Sequence, residues 1–328
     1  MKAALITGNG GLEKITVGDI PKPKIEPGQV IIKVKAVSLN HLDLFVLSGM
    51  PGKKRTHFPH IPGGDISGLI EKVGKNVSGL KKGQRVLVDP LISGVGALGE
   101  DTEGGLTQYI SVPVKNIIPI PENVSLKQAA ALPIAYGTAW RMLISKGKLK
   151  INETVLILGA SGGVGNALVQ IAKAAGAVVI AAAGSDLKCQ KLKKLGADYT
   201  INYQKENFSR TTWQITKKHG ADIVVDYTGE KTWPGSILAT KKGGRILTCG
   251  ATTGFKATTD LRYVWTREIT IIGSNGWQRK DLLELLNLVS RKKIRPVISK
   301  VLPLKQVKQA YQIIEDRNFF GKIIIEPN

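Results

Sequence analysis

The stretch Val155–Gly176, VLILGASGGVGNALVQIAKAAG, constrains the fold more than any other part of the chain. An apolar run of strand length enters a glycine-rich turn and leaves it directly as an amphipathic helix. Ala160, Gly162 and Gly165 stand at the spacing of a G-x-G-x-x-G fingerprint, with alanine at the first glycine. Small residues there serve three ends: a tight turn, close backbone approach to a pyrophosphate, and close packing of helix on strand. Ser161, Gly163 and Val164 complete the turn, and the helix starting near Val164 presents unpaired N–H groups and its positive end to phosphate. Strand, turn and helix together predict a dinucleotide cradle.

The flanking pattern agrees. After about Pro121 comes helical spacing in SLKQAAALPIAYGTAWRMLIS. Beyond it the apolar runs VLILG, VVIAAA, YTINY, ADIVVDYTG, GGRILTCG and ITIIGS follow in order, with helical stretches between them. That alternation implies a parallel sheet with right-handed crossovers. The runs are almost continuously apolar, as strands covered on both faces are. Before Pro121 the chain reads instead as short strands broken by glycine and proline. Ala3–Thr7, ITVGDI, VIIKVKAVSL, LIEKVG and QRVLV are the strands, with turns at Gly74, Gly79 and Gly83. A helix at about Asp281–Arg291 precedes a last strand–helix–strand segment from Pro296, ending in GKIIIEPN. The expected class is α/β, with a β-rich barrel-like domain at 1–122 completed by 296–328, and a doubly wound dinucleotide-binding domain at 123–295.

Composition narrows the function classes. No apolar run reaches the roughly 20 residues of a membrane helix, and the N-terminus lacks the apolar core of a signal peptide. Two cysteines, Cys189 and Cys249, make neither a disulfide framework nor a cysteine-rich zinc cluster, so a reducing cytoplasm is expected. The net charge of +22 concentrates anions near the surface. It is read as a lysine-rich solvated surface, because no RNA-recognition motif or clustered basic–aromatic stretch accompanies it. Neither nucleic acid nor membrane is an expected partner.

The strand after the cradle decides the nucleotide. A site for NAD usually ends that strand with an acid for the ribose 2′-hydroxyl. Here VVIAAA ends in Ala183-Gly184-Ser185, and Asp186 comes only in the following turn. Ser185 and Lys188 follow instead, and Tyr203 stands after the next strand. A lysine favours a 2′-phosphate, so NADPH is expected. Ser185 also reads as a helix N-cap and Lys188 as a solvated helical lysine.

At this point the chain resembles the medium-chain dehydrogenases/reductases over essentially its whole length. The residues carrying the resemblance are MKAA, SLNHLDLFVLSG, IPGGDISGLIEKVGKNVSGLKKGQRV, YGTAW, GASGGVG, KLGAD with INY, and GKIII. The resemblance implies a GroES-like domain at 1–122 and 296–328 beside a Rossmann domain, and is strongest to quinone oxidoreductases. It supports the grouping of Ser185, Lys188 and Tyr203 around a 2′-phosphate, and places Thr138, Gly250 and the backbone near Ser274-Asn275 around the nicotinamide. The family's zinc ligands are missing. Asn40 stands at the first ligand position, Gly63-Gly64-Asp65 has glycine in place of histidine, AAALPIAYG offers no ligand, and PLISGVGALGEDTEGG replaces the four-cysteine lobe. No zinc is expected. His41, His57, His60 and Asp65 are close in sequence, but His57 and His60 flank Phe58-Pro59 in a loop and are read as surface histidines.

Without a Lewis acid a conjugated acceptor is the easier substrate, since hydride adds at carbon while charge delocalises onto oxygen. The expected activity is NADPH-dependent reduction of a quinone or α,β-unsaturated carbonyl, a small electrophilic molecule. Asn40, and Asp43 beside it, are the candidate pocket residues, although Asn40 also fits a helix N-cap. Tyr136 reads as a core tyrosine. Three alternatives stand: an enoyl-CoA reductase of the acryloyl-CoA type, with Lys53-Lys54-Arg55 attracting the CoA phosphates; an alcohol dehydrogenase; and a nucleotide-bound RNA-binding protein. The resemblance implies a homodimer or homotetramer joined along an edge of the Rossmann sheet, for which Ile269–Ser274 is the candidate strand.

Overall fold

The computed structural model describes residues 1–49 and 57–327. The chain opens with an antiparallel pair, β1 (Lys2–Ile6) and β2 (Ile15–Asp19). In β3 (Gln29–Leu39) the alternating pattern is realised: Val30, Ile32, Val34 and Ala36 are buried while Lys33 and Lys35 are partly exposed. There follow α1 (His41–Ser48), β4 (Asp65–Val73), β5 (Arg85–Val88), the small hairpin of β6 (Leu91–Ile92) and β7 (Gly96–Ala97), β8 (Tyr109–Pro113), β9 (Ile117–Pro119) and the short α2 (Leu126–Ala130).

The expected helix beyond Ser125 is not one α-helix. Two π-helical segments, Leu132–Gly137 and Arg141–Lys146, flank α3 (Thr138–Trp140). Pro133 supplies the local reason for the first of them, since it has no N–H to give to the helix ladder and its ring crowds the preceding turn. Gly137 packs its backbone on Trp277, where a Cβ would lie 2.9 Å from the indole.

The alternating part then runs β10 (Thr154–Ile157), α4 (Gly163–Ala174), β11 (Val178–Ala183), α5 (Asp186–Leu195), β12 (Tyr199–Asn202), α6 (Phe208–Ile215), β13 (Ala221–Val225), α7 (Trp233–Ala239), β14 (Thr240–Thr248), α8 (Leu261–Thr266) and β15 (Thr270–Gly273). The chain ends with α9 (Arg279–Ser290), β16 (Ile298–Pro303), α10 (Val307–Glu315) and β17 (Lys322–Glu326).

The chain divides into two compact units, one of residues 1–134, 282–291 and 296–328, the other of 135–281 and 292–295. In the first, the main sheet has the order β16-β17-β3-β4-β5-β9, with β8 also paired to β3. The C-terminal segment therefore completes this sheet, β17 running antiparallel to β3 with Ile323 opposite Leu39. Its core joins both ends of the chain: Ile32, Ile66, Leu106, Tyr311 and Ile325 belong to one buried cluster. The second unit holds a six-stranded parallel sheet in the order β12-β11-β10-β13-β14-β15. Strand order reverses direction at β10, so a switch point opens beyond the carboxyl ends of β10 and β13, where this class of sheet binds ligands. Val155, Leu156, Ile180, Val224 and Ile246 are fully buried between the helix layers. Burial of each such side chain contributes roughly 1.5–3 kcal/mol over leaving it in water. Among the described residues no helix is long and apolar enough to cross a membrane.

Candidate active site

The cradle is built at the end of β10. The left-handed residue of the turn is Gly159 (φ +63°), one position before the fingerprint begins. That is why alanine is accepted at Ala160, which is buried and donates its amide to Ala182 at 3.0 Å. The Tyr227 hydroxyl donates to the Gly159 carbonyl at 3.0 Å and pins the turn. Asn166 Nδ2 does the same at the Ala160 carbonyl, also at 3.0 Å. A Cβ on Gly165 would lie 2.4 Å from the Ala160 Cα, so the third glycine is required by the contact of helix and turn. Gly162 differs: a Cβ there meets nothing nearer than the Gly159 carbonyl oxygen at 3.8 Å. It is the N-cap of α4 and has no side chain with which to occupy the first-turn N–H groups. Open space beside a glycine, in front of uncapped helix donors, fits a pyrophosphate.

At the end of β11, Ser185 is the N-cap of α5, its hydroxyl accepting from the Lys188 amide at 3.3 Å. The capping reading of Ser185 is thus realised, with Lys188 one turn into the helix. Tyr203 donates its amide to the Ala183 carbonyl at 3.1 Å. Its hydroxyl stands where a Cβ on Gly184 would lie 2.9 Å away, so Gly184 makes room for the ring. Ser185, Lys188 and Tyr203 are therefore drawn together around one strand end. Asp186, the nearest acid, is held by Asn202 Nδ2 and Lys205 Nζ, both at 2.6 Å, and Lys205 keeps its carboxyl below the usual range. Gly250 and Asn275 follow β14 and β15, at the same carboxyl edge of the sheet, and both are exposed. Ser274 is buried, its amide bonded to the Thr248 carbonyl at 2.8 Å and its hydroxyl without a partner among the described residues. Thr138 is half-buried at the start of α3. Tyr136 is a core residue, and its hydroxyl accepts from Gln170 at 2.9 Å.

The first unit holds the other candidate residues in a buried polar cluster. Asn40 takes the N-cap position of α1, yet its side chain turns to charged partners. Nδ2 donates to Asp65 Oδ2 at 2.8 Å and more weakly to the Ser38 carbonyl at 3.3 Å. Oδ1 accepts from the Lys322 ammonium, which also donates to the Leu39 carbonyl at 2.8 Å and lies 3.4 Å from Asp65 Oδ2. Asp65 Oδ1 accepts from the Ile134 amide at 2.8 Å. Asp43 reaches back to accept from the Asn40 amide at 2.7 Å. Burial pushes the Asp43 carboxyl up to about 7, against the pull of that bond and of Lys322. Burial likewise pushes Asp65 up and Lys322 down, each opposed by the other's charge.

Asp65 and Lys322 were not among the sequence candidates for catalysis. The available signal was a lysine heading the apolar run KIIIE, whose first four residues are all buried. The histidine expectation is corrected at one position. His57 is exposed, but His60 is fully buried and donates Nε2–H to the Gly99 carbonyl at 3.0 Å. The isolated bridge between Ile6 and His60 draws the loop into the core. The lobe at 90–105 is tied by carboxylates to backbone amides, Asp101 to Ala97 at 2.8 Å and Glu103 to Ile61 at 2.6 Å. Lys53, Lys54 and Arg55 lie outside the described residues.

The donor set does not suit zinc. A catalytic zinc takes about three N, O or S ligands and an open position. Here a neutral side-chain amide, a backbone amide and an ammonium surround one carboxylate whose two oxygens are already bonded. Among the described residues no three His, Cys, Asp or Glu side chains form a metal-binding group.

Residues 26–122 match the alcohol dehydrogenase GroES-like domain and residues 163–291 the zinc-binding dehydrogenase domain. A 2-methylene-furan-3-one reductase of Solanum lycopersicum is 33% identical, the match covering 100% of this chain and 79% of that protein. An acryloyl-coenzyme A reductase of Sulfurisphaera tokodaii is 30% identical with 100% of both covered, and a quinone oxidoreductase of Rattus norvegicus 29% identical with 99% and 97% covered. Among solved structures, an NAD-dependent alcohol dehydrogenase superposes with a TM-score of 0.96 at 35% identity, covering 100% of both chains. A cobalt- and zinc-bound thermostable alcohol dehydrogenase from Pyrobaculum aerophilum gives 0.89 at 32% identity, covering 100% of this chain and 99% of that one. The expected fold class is borne out, GroES-like plus Rossmann, and the chain belongs to the medium-chain dehydrogenase/reductase family as an NAD(P)H-dependent oxidoreductase of the quinone-oxidoreductase type.

Proposed function

We propose that the chain reduces a quinone or an α,β-unsaturated carbonyl with NADPH and without a catalytic zinc. The observation that carries this reading is the Asn40–Asp65–Lys322 cluster at the vacated ligand position, where an ammonium and an amide stand in place of metal donors. Bound NADPH supplies the hydride. The uncapped first turn of α4 and the open face of Gly162 hold its pyrophosphate. Lys188, with the hydroxyls of Ser185 and Tyr203, binds the 2′-phosphate through charge-assisted hydrogen bonds, and Thr138, Gly250 and Asn275 line the nicotinamide. Asn40 Nδ2 donates to the substrate oxygen as negative charge builds there. Asp43 holds the start of α1, and with it Asn40, through the 2.7 Å bond to the Asn40 amide.

The similarity to an acryloyl-coenzyme A reductase over its full length favours a second reading, reduction of an enoyl-CoA thioester by the same chemistry. A homodimer would form along β15, an edge strand on which Ile271 is exposed beside a sheet end that also shows Leu261 and Trp265 on α8. Cys189 and Cys249 are both free thiols, in keeping with a reducing compartment such as the cytoplasm.

The test is nucleotide oxidation by purified protein of known metal content. Acceptors are 1,4-benzoquinone, 9,10-phenanthrenequinone, 2-alkenals, acryloyl-CoA and crotonyl-CoA, with NADPH and NADH in parallel. Turnover of free quinones or alkenals with NADPH preferred, unaffected by chelation, is the expected outcome. Turnover confined to the thioesters would move the assignment to the second reading. Activity that follows bound zinc, or a clear NADH preference, would overturn the corresponding part.

A further inference from the structure

We propose that Lys322 is a positioning residue that sets and polarises the Asn40 amide for the reaction. The inference rests on the reading of Asn40 as the donor to the substrate oxygen.

An amide can be turned end for end at little cost unless its neighbours tell oxygen from nitrogen. An ammonium has three donors and no acceptor, and an ionised carboxylate only accepts. Asn40 lies between one of each. Lys322 therefore demands the oxygen end and Asp65 the nitrogen end, and no other arrangement satisfies both. Both charged groups are rigidly placed. The Lys322 side chain is 3% exposed and the Asp65 side chain 0%. Lys322 heads β17, whose pairing to β3 sets Ile323 opposite Leu39 and so brings residue 322 beside residue 40. Its ammonium is braced by the Leu39 carbonyl.

This arrangement leaves one donor over. Of the two Nδ2 hydrogens, one serves Asp65 at 2.8 Å. The second has only the Ser38 carbonyl at 3.3 Å, a contact weak enough to give up to a better acceptor. Donation from Lys322 into Oδ1 draws electron density from the amide nitrogen and strengthens that remaining N–H as a donor. The cluster thus supplies part of the charge stabilisation that a metal supplies elsewhere, through an amide. The groups facing Lys322 are Asp65 and Asn40 by contact and Asp43 by charge. The buried Tyr311 hydroxyl, under the influence of Asp43, has no hydrogen-bond partner among the described residues.

A merely structural lysine would neutralise Asp65 and do nothing more, and protonation separates the two roles. In Lys322→Met the unpaired Asp65 carboxyl can take a proton as pH falls, which restores stability but not the Oδ1 donor. Melting temperature, NADPH affinity, kcat and KM are compared across pH 5.5–8.5 for wild type, Lys322→Met, Lys322→Gln and Lys322→Arg. The expected result is a kcat deficit of about 10- to 100-fold for Lys322→Met at every pH, with NADPH affinity unchanged and the melting-temperature deficit shrinking on acidification. Lys322→Arg, which keeps a cationic donor, retains activity within a few-fold of wild type. Should Lys322→Met not fold, Lys322→Gln, whose amide still donates but carries no charge, is expected to lie between Arg and wild type on one side and complete loss on the other. A kcat that recovers with stability at low pH, or a Gln variant equal to wild type, overturns the proposal. Asn40→Ala tells the two failures apart. If it leaves kcat intact, the reading of Asn40 is wrong; if it is slow while the Lys322 variants are fast, the role of Lys322 alone is wrong.

Discussion

Asp43 makes a quantitative prediction about stability. The residue is 4% exposed, and burial carries its carboxyl from the ordinary 3.8 up to about 7 in the folded protein. A carboxyl raised in the folded state binds its proton more tightly there than in the unfolded chain. Between pH 3.8 and 7 the native state therefore holds more protons, and stability falls as pH rises through this window. Each pKa unit is worth about 1.4 kcal/mol, so the shift amounts to about 4 kcal/mol when complete. Linkage puts about 2–3 kcal/mol of it between pH 5 and pH 8. Asp43→Asn keeps an acceptor for the Asn40 amide but has no proton to lose. The variant is expected to gain on wild type by about 2–3 kcal/mol between those two pH values, with most of the gain below pH 7. Urea unfolding of both proteins at half-unit pH steps measures this directly, and taking the difference cancels the exposed carboxylates held low elsewhere, such as Asp186 and Asp260. Parallel stability curves across that range would show that Asp43 titrates as an ordinary carboxyl and would refute the account of the cluster.

Four further outcomes follow from the geometry. Gly165→Ala forces a Cβ to 2.4 Å from the Ala160 backbone and should cost about 1–3 kcal/mol, seen as a lower melting temperature together with weaker NADPH binding. Gly162→Ala meets no atom of the protein closer than 3.8 Å and should leave the melting temperature within about a degree while weakening NADPH binding at least tenfold, measured by nucleotide fluorescence. Lys188→Ala should raise the KM for NADPH about 10- to 100-fold and leave that for NADH almost unchanged, since a charge-assisted bond to phosphate is worth about 1.5–3 kcal/mol. Ile271→Lys places a charge on the exposed edge of β15 and should shift a dimer towards monomer in sedimentation velocity.

The parallel sheet was legible because its strands are apolar on both faces and separated by helices, a pattern that admits few other folds. The cradle was legible in outline and misread in one detail. The fingerprint assigns the tight turn to its first position, here Ala160. The backbone instead takes its left-handed residue at Gly159 and uses Ala160 as a packed anchor. Local spacing names the small residues but does not say which of them bears the positive φ. The π-helical segments around α3 were likewise hidden, because helical periodicity over a short window does not distinguish 3.6 residues per turn from a wider turn.

The polar cluster was the hardest part to read, for a reason that follows from its chemistry. Asn40, Asp65 and Lys322 are brought together by pairing of β17 with β3 and of β3 with β4, contacts that span most of the chain. A lysine at the head of a strand is usually a solvated terminus, and an aspartate after two glycines is usually a turn. Only tertiary pairing makes both interior. His60 was misjudged on the same ground: flanking loop residues suggested a surface, whereas its backbone bridges Ile6 and its ring lies in the core. A buried ion pair is a weak device for stability, since replacing it with apolar residues is often neutral or better. Its placement on either side of the Asn40 amide fits the proposed role in orienting that amide between the two charges. That is why the decisive variants alter Lys322 while leaving Asn40 in place.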